Sequence, residues 1–161
     1  MKLSTLLSFG AIAGFVAFNP ASAQTATQTV TFQVTAINQV AVTGAPSLVI
    51  NAAVAGSAPT AVTASGNSWS VTTNQTGAMI TASIPTAMPA GLTLSANLTA
   101  PAGATSTGLT ALGTTAVNVV TGITKLNAAA LGLSYQLDAT AAAGVVGSAT
   151  RVVTYTITGG V

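Results

Sequence analysis

Residues Thr27–Ile37 read TQTVTFQVTAI. Val30, Phe32, Val34 and Ala36 share one parity; Thr29, Thr31, Gln33 and Thr35 share the other. Side chains of an extended chain point alternately to opposite faces, so this pattern predicts a half-buried β-strand. The same alternation returns near the far end in Arg151–Thr158, RVVTYTIT. The residues between are read as strands completing one sandwich with these two. The expected fold is all-β: a single immunoglobulin-like or pilin-like antiparallel β-sandwich of about seven to nine strands.

Upstream of the first alternating stretch, Lys2 begins a short apolar run, Leu3–Phe18, followed by Ala21-Ser22-Ala23 before Gln24. A positive start, a short apolar centre and a small-x-small site form the layout of a secretory signal peptide, expected here over residues 1–23. The run is shorter than the ~20 residues of a spanning helix, and Pro20 interrupts its end. Residues 24–161 are then the β-sandwich domain, placed by its export outside the cell, on the cell surface or in the periplasm. The chain has no Cys, although disulfides form in such compartments.

Charge is the strongest compositional signal. Only 2% of residues are charged, against about 25% in ordinary globular proteins. Past the signal the charged residues are Lys125, Asp138 and Arg151. Two cations do not supply the several phosphate contacts that nucleic-acid binding needs, nor a charge-driven membrane attachment. A neutral Thr, Ser, Asn, Gln and Ala surface carries little repulsion and favours association. It also lacks the lysines and inward charges that normally guard strand edges.

Working inward, Val40–Thr43 extends the first ribbon and Leu48–Ile50 suggests a short strand. Ser68–Thr73 and Ala78–Ile84 flank Asn74-Gln75-Thr76-Gly77 and read as a β-hairpin. Leu92–Thr99 alternates most regularly, with Leu92, Leu94, Ala96 and Leu98 inward. Thr114–Val120 and Gly132–Thr140 are further strands. Lys125–Leu131 fits either one helical turn or a strand connection. Ala52–Asn67, Pro101–Gly113 and Ala141–Ala149 read as loops, the first containing one short strand. β-Branched Thr and Val dominate and weigh against helix.

The chain holds no His, Cys or Glu, and Asp138 is its one carboxylate. A Ser-His-Asp triad lacks its base, a glycosidase lacks its second carboxylate, and neither zinc nor calcium has a ligand set. The expectation is a non-enzyme with no cofactor and no metal. Asp138 and Arg151 are expected as a surface pair across a hairpin of Leu133–Ala139 with Arg151–Ile157. Trp69 is read as core rather than as a sugar-stacking platform, and Tyr135 and Tyr155 as core with wet hydroxyls. Asn74-Gln75-Thr76 and Asn97-Leu98-Thr99 match a glycosylation pattern by chance, since the signal peptide looks bacterial.

The order VTFxVxAI, WSVTTN-x-TG-x-x-ITASI, GLTLSANLTAPxGA and RVVTYTIT resembles small uncharacterised exported bacterial β-sandwich proteins across most of residues 28–158. More loosely, it is similar to pilin-type sandwich subunits, from which it departs by lacking cysteines. That resemblance implies no particular site residue.

The residues themselves favour an exported structural subunit of a filament, coat or matrix. Val30, Phe32, Val34 and Ala36 are its candidate subunit-interaction residues, added as a strand to a neighbour's sheet. The simpler expectation for this strand is pairing with Arg151–Thr158 in its own domain, because neighbouring termini are common. The partner is a second copy or another envelope or extracellular protein. The alternative is a monomeric adhesin or carbohydrate-binding module using loops Ala52–Asn67 and Pro101–Gly113, which offer no aromatic or charged anchors. A membrane barrel lacks its aromatic girdles here. The Thr-x-Thr rows of an ice-binding face are ordinary strand composition.

Overall fold

A computed structural model describes residues 22–161. The expected signal peptide lies outside the described residues, apart from Ser22 and Ala23. Two units are distinguished, with the division between Gln33 and Val34. The larger is an all-β sandwich of two antiparallel sheets.

Its strands are β1 Asn38–Thr43, β2 Val62–Thr73, β3 Ala78–Ser83, β4 Leu92–Leu98 and β5 Thr105–Ser106. They continue with β6 Thr110–Ala111, β7 Val117–Ile123, β8 Leu126–Ala139 and β9 Thr154–Thr158. One sheet has the order β1-β2-β8-β4-β6 and the other β5-β7-β3-β9. A single 3-10 turn, Ala141–Ala143, lies between β8 and β9.

The period-two pattern decides what is buried. Ala78, Ile80, Ala82 and Ile84 project from β3 and its end into the core. Trp69 and Val71 of β2, Leu94, Ala96 and Leu98 of β4, and Leu133 and Tyr135 of β8 meet them from the other sheet. Trp69 is core, as its parity predicts, and its indole N–H donates to the Thr99 carbonyl at 3.1 Å. That bond satisfies a polar group which burial would otherwise leave unpaired.

Several expectations about partners are corrected. β2 and β3 do not form a hairpin: both neighbours of β2 are β1 and β8, and both neighbours of β3 are β7 and β9. Asn74–Gly77 is therefore an arch between the sheets. A second arch, at Thr124-Lys125, carries the chain from β7 back to β8. The two are tied by Lys125 N–H to the Gln75 carbonyl at 2.9 Å and Gly77 N–H to Thr124 Oγ1 at 3.1 Å. Trp69 and Ile80 thus meet across the core rather than side by side.

Lys125–Leu131 resolves as strand from Leu126 onward, because β8 is held between β2 and β4 for most of its length. Tertiary pairing overrides the helix preference of its alanines. β2 begins at Val62, inside the expected loop, and Leu48–Ile50 is not a strand. The seventh strand is shifted to Val117–Ile123, and two short strands lie within Pro101–Gly113. The last strand starts at Thr154 rather than Arg151.

Candidate functional site

Thr27–Ile37 has the alternation of a strand but no strand partner among the described residues. The expected pairing with Arg151–Thr158 is not seen: β9 pairs with β3 in register Ile80↔Ile157 and Ala82↔Tyr155, and its other edge has no partner among the described residues. Alternation determines which side chains share a face; a ladder also needs a free edge to bind, and this segment has found none.

The consequence is an uncovered apolar row. Val30 is 72%, Phe32 89% and Val34 77% exposed, and Ala36 is exposed as well. An isolated exposed Val is ordinary; a row of three on one parity, with a Phe at its centre, is not. No residue from Gln24 to Ile37 is charged.

Where this segment enters β1, one side chain holds it. Asn74 Oδ1 accepts the Ile37 N–H at 2.8 Å, and Asn74 Nδ2 donates to the Thr35 carbonyl at 2.7 Å. The backbone N–H of Asn74 donates to the Ile37 carbonyl at 3.2 Å. The Asn amide thereby acts as a piece of strand that extends the β1–β2 ladder past Asn38↔Thr73. Gln75 Nε2 donates to Asn74 Oδ1 at 2.7 Å and orients that amide. Sequence reading missed this role. An Asn in an N-x-T-G turn has a local explanation already, and nothing in the string marks it as a clamp.

β1 and β9 are the outer strands of their sheets on one side of the sandwich. Their inward side chains sit opposite fully buried partners: Val42 faces Trp69, and Ile157 faces Ile80. Val42 nevertheless remains 45% exposed, while Val40, Tyr155 and Ile157 are half-buried. Neither strand carries a Lys, a Pro or an inward charge, the usual guards of an edge.

Across the core, the Tyr155 hydroxyl donates to that of Tyr135 at 2.9 Å. These hydroxyls bond each other rather than standing wet, as the sequence reading had them. Burial pushes both phenols above the ordinary tyrosine value. The mutual hydrogen bond adds to the rise at Tyr155 and offsets part of it at Tyr135.

Asp138 and Arg151 do not meet. β8 and β9 lie in different sheets, so the hairpin that was to join them does not exist. Asp138 instead accepts from Gln136 Nε2 at 3.0 and 3.1 Å, two residues away on the same face. Arg151 donates to the carbonyls of Thr150 at 2.9 Å and Ala87 at 3.3 Å, and its Nε is buried without a partner. It edges a groove of about 900 Å³ floored by Leu48, Ile50, Met88, Leu92 and Leu137. Neither loop proposed for carbohydrate binding builds most of that groove: only Ala52, Ala53 and Pro59 of the first reach it, and nothing of the second.

Among the described residues, no helix is long and apolar enough to cross a membrane. No protein-family model, curated protein or solved structure matches this chain.

Proposed function

We propose that this chain is an exported, non-catalytic structural subunit that assembles by strand addition. In this reading the segment around Val30, Phe32, Val34 and Ala36 pairs with a neighbouring subunit, building a filament, coat or matrix. The observation that carries it is the exposed apolar row with strand parity and no partner.

Magnitudes define the kind of association. Covering Val30, Phe32 and Val34 contributes about 1.5–3 kcal/mol each. Association costs roughly 4–15 kcal/mol in lost freedom. The side chains alone therefore do not secure a stable complex. Backbone ladder bonds and burial on the acceptor must add to them, as in other cases of strand addition. Assembly is accordingly expected to depend on protein concentration.

The test is light scattering and negative-stain microscopy of the purified exported protein beside a variant lacking Gln24–Val34. That deletion leaves the Asn74 contacts to Thr35 and Ile37 in place. Concentration-dependent oligomers or fibres that vanish on deletion support the reading. A monomer at all concentrations, with or without the segment, rejects it.

A further inference from the structure

We infer that the acceptor for this segment is the open edge of β9 in a second copy of the chain. This rests on the strand-addition reading above and adds the site that receives the strand.

Four observations converge on β9. Its outer edge has no partner among the described residues, because its ladder is made with β3 alone. Its sequence, Thr-Tyr-Thr-Ile-Thr, has the period of the donor, Thr-Val-Thr-Phe-Gln-Val. Its inward side chains are only half-covered, and a strand laid beside it places Phe32 next to Tyr155 or Ile157. On the outer face, Thr29 and Thr31 come beside Thr154, Thr156 and Thr158. Aromatic with β-branched pairs and Thr with Thr pairs are the favourable cross-strand combinations.

The competing edges fit less well. β1 offers Gln39, Ala41 and Thr43 outward, with no threonine row to match. β5 and β6 are two residues each and give too short a ladder. Both donor and β9 are uncharged, so no repulsion opposes their approach. A donor near one end of the fold and an acceptor on a separate strand form a heterologous contact. Unless two copies exchange segments reciprocally, such contacts propagate head to tail, into rings where the rotation closes and into open filaments where it does not.

The absence of cysteine gives a clean test. Thr31→Cys protein is mixed with Thr156→Cys, Gln39→Cys or Thr105→Cys protein and treated with a short bismaleimide. All four positions are exposed. The expected result is a covalent heterodimer with Thr156→Cys in at least several-fold excess over the other two mixtures. Equal or greater linkage to Gln39→Cys or Thr105→Cys overturns the β9 assignment and leaves strand addition standing. No linkage to any of them, from a protein that also stays monomeric, removes both. A dilute Thr31→Cys/Thr156→Cys double variant that links within one chain also overturns the inference, because the segment then closes its own edge.

Discussion

The Tyr155 hydroxyl of β9 donates to the Tyr135 hydroxyl of β8 at 2.9 Å, and this bond joins the two sheets beneath the open edge. Both phenols have raised pKa values, chiefly from burial. The sign of the pH dependence follows. Below about pH 10 folded and unfolded chains hold both protons, and the full stability is present. Above it the unfolded phenols ionise first, the unfolded state binds fewer protons, and stability falls until the folded values are passed. Urea midpoints are expected to drop steadily above about pH 10. Tyr155→Phe should cost about 1 kcal/mol at neutral pH, leaving the Tyr135 hydroxyl without its partner. The Tyr135→Phe/Tyr155→Phe double variant should recover part of that loss and flatten the alkaline slope. An unchanged slope would refute the assignment.

Asn74 carries the exit of the N-terminal segment. Asn74→Ala removes the acceptor of the Ile37 N–H and the donor to the Thr35 carbonyl. These groups lie near solvent, which replaces the lost bonds, so the loss in global stability should stay below about 1 kcal/mol. The local effect should be larger. Hydrogen exchange at the Ile37 amide is expected to accelerate about tenfold, with amides of β3 and β8 unaffected. Equal acceleration across the core would mean that Asn74 supports the whole fold rather than the exit point.

Ala130 has φ of 54°, a left-handed conformation that costs an L-residue about 1–2 kcal/mol. The register of β8 explains it. Trp69 pairs with Leu131 and Val71 with Ala128, so Ser70 alone stands opposite Ala129 and Ala130, a β-bulge. The Ala130 N–H donates to Ser70 Oγ at 3.3 Å, which satisfies the displaced amide. Ala130→Gly should stabilise the protein by about 0.5–1 kcal/mol, relief of strain outweighing the greater freedom of the unfolded chain. Thermal unfolding is the measurement, and a lowered Tm would contradict this account.

The same residues show what the sequence makes legible. Leu94, Ala96 and Leu98 lie in the core and Trp69 beside them, because a period of two assigns faces without reference to any partner. Partners are another matter. Asn74-Gln75-Thr76-Gly77 suits a hairpin and an arch equally, and the choice belongs to β1, β7, β8 and β9, which take every edge of β2 and β3. Arg151 and Asp138 looked like a pair only while β8 and β9 were placed side by side. Lys125–Leu131 fits a helical turn and a strand connection alike, because a bulge at Ala129-Ala130 in an alanine run leaves no mark in the letters. Of the candidate site, Val30, Phe32, Val34 and Ala36 were legible as one row. Their lack of a partner, the Asn74 clamp and the open β9 edge depend on contacts between distant residues.

Phe32→Asp separates folding from assembly. Phe32 is 89% exposed, and exposed substitutions away from special contacts usually change stability by less than about 0.5 kcal/mol. The thermal midpoint of the dilute protein should therefore stay where it is. In an added strand the same position faces the interior, where an unpaired carboxylate is strongly disfavoured. Oligomers should be lost. Thr31→Asp, one residue away and on the outer parity, introduces the same charge yet should retain most of them. Salt should matter little to the wild type, because neither the segment nor β9 carries a charge to be screened. Sedimentation of the three proteins at low and high salt distinguishes the cases. If Phe32→Asp assembles as the wild type does, the row of Val30, Phe32 and Val34 is not the contact surface. If both aspartates abolish assembly equally, parity is irrelevant and the association is not a strand joining a sheet.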